Sequence, residues 1–571
     1  MLETKDISRL LTAIYGSQTA GAILAQLLDL AARYEGRLPR PRSTGLSQKD
    51  AFLITYPDQL HEPGTAPLAS LARFCSQRLR EITPCIHILP FFPYSSDDGF
   101  SVIDYRLVDP QDGTWHDIRK LQQSFRVMAD GVFNHISAES SWFQAFLKDD
   151  PAYKDFFIVI ADSPDLSQVV RPRALPLLTR FETPSGPKQV WTTFSTDQID
   201  LNFKNPQVLL EILDILLFYV SQGAEFIRLD AIAYLWKEIG TSCIHLPQTH
   251  QVIQLFRSVL NQLAPHVSLI TETNVPHTEN LSYFGDGHNE AQLVYNFALP
   301  PLVLDAIRQG RGSTLSEWAG RLVLPSSEVT FYNFLASHDG IGVNPVRGIL
   351  PEQDITALVE QTLHHGGFVS YKNNPDGSKS PYELNINYFD ALSDPSGQEP
   401  LALQVERAAA THAVLLSLAG VPAIYFHSLF GSRGWREGAL KSGHNRTINR
   451  QKLDRLELEG QLADPQSLRS QVFNKLSHLI QVRAASPAFN PYGAQQVLAC
   501  GDPFFALLRR SSDGRQQVLC LINLSAQAQI ARLPSAYRLG QELIGGTPQF
   551  QDTAGSIHLQ PYQACWFQLL P

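Results

Sequence analysis

Sulfur is scarce in this 571-residue sequence, which has two methionines and six scattered cysteines, Cys75, Cys85, Cys243, Cys500, Cys520 and Cys565. No two cysteines stand at CxxC spacing, which excludes a zinc ribbon or a disulfide framework and leaves buried free thiols as the expectation. Positive runs are missing too. With 46 Lys and Arg against 55 Asp and Glu, the net charge is -9, so nucleic acid and anionic membrane are excluded as main partners, though a local basic pocket for a small anion remains open. No apolar stretch reaches membrane-spanning length, and the start, Met1-Leu-Glu-Thr-Lys-Asp6, lacks a basic segment followed by an apolar run. The expected location is therefore cytoplasmic. Repeats and low-complexity tracts are absent. What is present, 44% hydrophobic and 18% charged residues, suits one large core with smaller appended domains.

Residues 1–50 read as a helical extension, with apolar residues at helical spacing in Ile23-Leu-Ala-Gln-Leu-Leu-Asp-Leu30, followed by a Pro/Arg-rich link at Arg37-Leu-Pro-Arg-Pro-Arg42. Short apolar runs then recur between helical segments: Phe52–Tyr56, Ile86–Pro90, Arg126–Asp130, Glu225–Asp230, Ser268–Glu272, Leu293–Phe297, Thr330–Leu335 and Val421–Tyr425. Eight strands alternating with helices predict an α/β fold, a (β/α)₈ TIM barrel over 51–487 with its chemistry at the strands' C-terminal ends. Two connections, 136–201 and 340–400, are too long for ordinary loops and predict insertions that shape a pocket, the first an inserted B domain. From 488 to 571 short alternating runs bounded by turns predict a C-terminal β domain.

Arg228 and Asp230 lie two residues apart on a strand and so point the same way, which sets a guanidinium beside a carboxylate and predicts an ionised, aimed acid. Asp130 and Glu272 also close strands. Four motifs stand in order at strand ends: Asp130-Gly-Val-Phe-Asn-His135, Arg228-Leu-Asp230, Ile270-Thr-Glu-Thr273 and Ser337-His-Asp339. Together they resemble the four signature regions of the α-amylase clan, glycoside hydrolase family 13. The resemblance implies Asp230 as nucleophile, Glu272 as general acid/base and Asp339 as the carboxylate that stabilises the transition state through sugar hydroxyls. It also places His135, His338 and Arg228 around the glucose. A retaining mechanism sets nucleophile and acid about 5–5.5 Å apart, with the acid's pKa raised.

Pro90-Phe-Phe-Pro-Tyr-Ser-Ser-Asp-Asp-Gly-Phe100, Arg171-Pro-Arg-Ala-Leu-Pro176, Phe194 with Gln198-Ile-Asp200, and Asn445-Arg-Thr-Ile-Asn-Arg450 resemble the sucrose phosphorylase subfamily, from about residue 50 to 485. That likeness implies Asp97 and Arg446 at the far hydroxyls of glucose, Phe194 on the substrate, and Arg173 and Tyr382 on phosphate. Where that subfamily meets fructose with an Asp and a Gln, this chain has Lys379 and Glu383. Its N-terminal extension, Asn373-Asn-Pro-Asp-Gly377 and Ile270-Thr-Glu-Thr-Asn-Val-Pro-His277 look closer to glucosylglycerate phosphorylases, with glucosylglycerol phosphorylases as near relatives. Lys372 or Lys379 would suit the glycerate carboxylate. Asn134 takes a position that ligates calcium in many α-amylases, but the sucrose phosphorylases share it without needing the ion, so neither metal nor cofactor is implied. The implied activity is reversible phosphorolysis of a small glucoside to α-glucose 1-phosphate, most closely of 2-O-α-D-glucosyl-D-glycerate, with glucosylglycerol or sucrose as alternative substrates. The partners are then the glucoside and inorganic phosphate. Two other readings stand beside it: an α-glucosidase or transglucosidase indifferent to phosphate, and an inactive carbohydrate-binding protein. The N-terminal extension is open to two uses, a homodimer interface or packing on the barrel.

Overall fold

The computed structural model describes residues 3–39, 45–173, 175–374, 378–534, 536–546, 549–550 and 556–570. Residues 40–42 of the Pro/Arg-rich link, Ala174 and residues 375–377 of the second insertion lie outside the described residues. Eight parallel strands close a barrel: β1 (Phe52–Thr55), β2 (Cys85–Ile88), β3 (Arg126–Gly131), β4 (Ala224–Leu229), β5 (Ser268–Thr271), β6 (Leu293–Tyr295), β7 (Thr330–Phe334) and β8 (Val421–Tyr425). All eight fall on the apolar runs read from the sequence. They read as unbroken apolar runs because both faces are covered, by the barrel interior on one side and by helices on the other. Phe52 packs edge-on against Phe226 at 4.9 Å and Tyr332 at 5.3 Å between ring centroids, so aromatic rings from β1, β4 and β7 fill the barrel's interior. In register Arg228 of β4 stands opposite Asp130 of β3 and Ile270 of β5. That alignment brings residues a hundred positions apart to one end of the barrel.

Between β3 and β4, His135–Ser137 pairs antiparallel with Gln198–Asp200, and a three-stranded sheet is built from Val159–Ile160, Lys188–Trp191 and Leu178–Phe181. Between β7 and β8, helix Glu352–His364 leads into the hairpin of Phe368–Asn373 and Lys379–Asn385, whose second strand also pairs with Ile341–Gly342. The hairpin carries a bulge: Ser370 faces Glu383 and Tyr371 faces Pro381, which leaves Tyr382 as the extra residue. A five-stranded antiparallel sheet, Gln495–Val497, Phe504–Arg510, Gln517–Asn523, Ala564–Leu569 and Leu539–Glu542, and a smaller three-stranded one end the chain.

The N-terminal helices Lys5–Tyr15 and Ser17–Tyr34 pack on helices Pro247–Leu263 and Pro206–Ser221 respectively. Their apolar stripes, Ile7, Leu10, Leu11, Ile23, Leu27 and Leu30, are buried, each stabilising by roughly 1.5–3 kcal/mol. Tyr15 Oη donates to the Phe203 carbonyl at 2.8 Å and Tyr34 Oη to Asp214 Oδ1 at 2.8 Å. All six cysteines are buried free thiols. Among the described residues no helix is long and apolar enough to cross a membrane.

Candidate active site

The centre of the site is a guanidinium shared among acids. Arg228, 2% exposed, donates through Nη1 to Asp230 Oδ1 at 2.8 Å and to Asp130, while its Nη2 lies 3.9 Å from Glu272 Oε2. Asp130 is held on its other oxygen by His87 Nε2 at 2.7 Å. Just past β4 the chain turns through Ala231 in the left-handed region (φ 49°), and the Ala231 N–H donates to Glu272 Oε2 at 3.1 Å. Glu272 is tethered to β4 through its own N–H, which donates to the Leu229 carbonyl at 3.2 Å.

These surroundings set the protonation states. Burial pushes the Glu272 carboxyl up to about 7; Arg228 opposes this, and the negative charges of Asp230 and Asp339 add to it. Burial also raises Asp230 above the ordinary carboxylate range, against the pull of Arg228. Asp130, which shares the same guanidinium, adds to that rise. Asp339 goes the other way. Burial acts to raise it, but Arg446 Nη1 at 2.6 Å, His338 and Arg450 Nη2 at 3.4 Å hold it well below the usual range. His338 is pushed down to about 3 by burial and lies flat on Phe100, 4.7 Å between centroids, so it is a neutral imidazole at physiological pH. His135 Nε2 donates to the Phe100 carbonyl at 2.9 Å.

One cleft gathers Asp97, His135, Arg173, Phe194, Asp230, Glu272, His338, Asp339, Tyr382 and Arg446, together with Phe100, Gln198, Tyr234 and Asn274. It encloses about 700 Å³ with its open mouth included, the size of a small-molecule site. Arg173 Nη2 donates to Asp97 Oδ2 at 3.0 Å, with its guanidinium carbon 5.8 Å from the centre of the Phe194 ring. Tyr382 reaches the cleft as the bulged residue of its hairpin.

Two residues read as acceptor contacts do not line this cleft. Lys379 is exposed at the start of its strand. Glu383, 2% exposed, turns to Arg446, accepting from Nε at 3.1 Å and Nη2 at 2.8 Å, and takes the Gly340 N–H as well. It braces the arginine that holds Asp339. Any residue but glycine at 340 would put a Cβ 2.5 Å from the Leu384 carbonyl oxygen and 2.7 Å from Glu383, so the close approach depends on Gly340. Lys372 is half-buried, its Nζ donating to Asn344 Oδ1 at 3.1 Å.

Sequence reasoning missed Arg450. Its buried guanidinium donates to the His338 carbonyl at 3.0 Å and to Asp98 at 2.6 Å, and reaches Asp97 at 3.5 Å and Asp339 at 3.4 Å. The signal was a second arginine four residues after Arg446. His87 was missed as well, although a histidine inside an apolar run marks a buried polar partner.

At the calcium-type position an ammonium provides the positive charge: Lys237 Nζ lies 2.8 Å from Asn134 Oδ1 and 2.7 Å from Asp200 Oδ2. Asp200 is fully buried, so Lys237→Met strands its charge. The expected cost is about 3–5 kcal/mol, read as a lowered midpoint in thermal denaturation; an unchanged midpoint would refute the assignment.

A parallel eight-stranded barrel with carboxylates at the ends of its fourth, fifth and seventh strands defines the class of α-amylase-type barrels, and residues 81–323 match the family model for the alpha amylase catalytic domain. A glucosylglycerate phosphorylase of Spirochaeta thermophila is 52% identical, the alignment covering 98% of this chain and 97% of the relative. Another, of Allomeiothermus silvanus, is 51% identical over 97% of this chain and 96% of the relative. The crystal structure of sucrose 6F-phosphate phosphorylase from Thermoanaerobacter thermosaccharolyticum superposes with a TM-score of 0.73 at 25% identity, over 85% of this chain and 96% of that one. The chain belongs to the α-amylase clan, glycoside hydrolase family 13, and within it to the same family as these glucosylglycerate phosphorylases.

Proposed function

We propose that the protein is a retaining α-glucoside phosphorylase and that its glucoside is glucosylglycerate. The observation that carries this is one cleft holding a carboxyl protonated near neutrality, Glu272, and an arginine placed for an anion, Arg173, in a chain half identical along nearly its whole length to proteins bearing that name. Asp230 attacks the anomeric carbon while Glu272 gives its proton to the glycosidic oxygen; that C–O bond breaks and glycerate leaves as the alcohol. A β-glucosyl ester on Asp230 results. Phosphate then attacks the same carbon, the Asp230 carboxylate leaves, and α-glucose 1-phosphate forms with net retention. Asp339, held ionised by Arg446, stabilises positive charge at the anomeric centre, and neutral His135 and His338 address the sugar hydroxyls with Asp97 and Arg446. Glu383 acts behind Arg446 rather than on the acceptor.

The test is incubation with α-glucose 1-phosphate and D-glycerate, glycerol or fructose, following phosphate release against a control without acceptor. Release that depends on glycerate is expected. Equal release without any acceptor would make water the preferred nucleophile and the protein a hydrolase.

A further inference from the structure

We propose that Arg173 is one anion receiver for two substrates, taking the glycerate carboxylate in one half-reaction and phosphate in the other, and that Asp97 holds it in reserve until glucose occupies the cleft. The inference rests on the phosphorylase reading.

Among the described residues, two cationic side chains line the cleft, Arg173 and Arg446. Arg446 is committed, to Asp339 at 2.6 Å and to both oxygens of Glu383. Lys379 stands outside the cleft, and Lys372, bonded to Asn344, does not line it. Yet both co-substrates are anions, and in a double displacement they meet the glucosyl-enzyme in turn on the same face, never together. One guanidinium fork therefore suffices, since a carboxylate and a phosphate offer it the same two-oxygen edge.

Asp97 supplies the reserve. Its Oδ2 accepts from Arg173 at 3.0 Å, and its Oδ1 lies 3.5 Å from Arg450. Arg173 can therefore leave without orphaning the part-buried carboxylate. Asp97 is also the group assigned to the far glucose hydroxyls, and those hydroxyls compete with Arg173 for its oxygens. Glucose in the cleft thus loosens the Asp97–Arg173 pair and frees the guanidinium for an anion. The side chain of Arg173 is 30% exposed and rests over Phe194, so it can turn without emptying a packed core.

The test uses α-glucosyl fluoride as donor, which forms the glucosyl-enzyme without a phosphate leaving group, and lets D-glycerate or phosphate compete with neutral glycerol. In Arg173→Gln, transfer to glycerate and transfer to phosphate should both fall relative to transfer to glycerol, by roughly 30-fold or more. In Asp97→Asn, phosphate and glycerate should bind the sugar-free enzyme roughly 5-fold or more tighter by calorimetry. Loss of the preference for one anion alone, or unchanged ratios in Arg173→Gln with the preference lost in Lys372→Met, would overturn the proposal. Should Arg173→Gln lose glycerol turnover as well, the Asp97→Asn binding decides: tighter binding supports the reserve, and equal or weaker binding sinks it. A parent enzyme that transfers to water whatever anion is present would overturn the phosphorylase reading itself, an outcome separate from all of these.

Discussion

Asp230→Asn should leave a folded protein that phosphorolyses glucosylglycerate about 10⁴-fold or more slowly than the parent, because the amide cannot form the glycosyl ester on which both half-reactions depend. The substitution keeps the shape of the side chain and one acceptor oxygen for Arg228, so circular dichroism and glucoside binding should be preserved. The intermediate gives a second readout. With α-glucosyl fluoride and no acceptor, the parent should gain one glucosyl unit by mass, mapped to the peptide holding Asp230, and Asp230→Asn should gain none. A glucosyl adduct elsewhere, or turnover within tenfold of the parent, would remove Asp230 from the role.

The second large effect is pH-dependent. In the proposed mechanism Glu272 must carry a proton to release glycerate, and its carboxyl is pushed up to about 7 by burial and by its acidic neighbours. The protonated form is therefore lost as pH rises through about 7, and phosphorolysis should decline on that alkaline limb. Glu272→Gln should be about 10²–10⁴-fold slower on glucosylglycerate and should lose the limb. With α-glucosyl fluoride, whose leaving group needs no proton, the same variant should still form the glucosyl-enzyme. An alkaline limb that survives in Glu272→Gln would assign it to another group.

The eight strands and the acids at their ends were legible in the sequence because both follow from local pattern. A buried parallel strand reads as an apolar run, and the acids were marked by four motifs standing in order at strand ends, since a single carboxylate closing such a run is more often a cap or an ion-pair member such as Asp130. What was lost lies in the hairpin between β7 and β8. Reading Lys379, Tyr382 and Glu383 together as substrate contacts ignores alternation along the strand, and the bulge at Tyr382 shifts the alternation again. No short-range signal marks a bulge here, since the missing pair belongs to the partner strand. Arg450 was hidden for a related reason. Its partners Asp97, Asp98 and Asp339 come from two distant loops, and an arginine's worth depends on which carboxylates the fold delivers. The strand pattern showed Arg228 beside Asp230 but not that Asp130 shares the same guanidinium.

The helices that the N-terminal pair covers, Pro206–Ser221 and Pro247–Leu263, are made after it and flank β4, the strand that delivers Arg228 and Asp230. Tyr15 waits for Phe203 and Tyr34 for Asp214, separations of 188 and 180 residues. During synthesis the two helices of the extension can pack on each other but have no barrel helix to cover, and they dock only after the middle of the barrel exists. The extension therefore works as a closing latch over the strand that carries Arg228 and leads into Asp230, and a chain trimmed to the barrel would leave two of that strand's supporting helices with bare apolar faces.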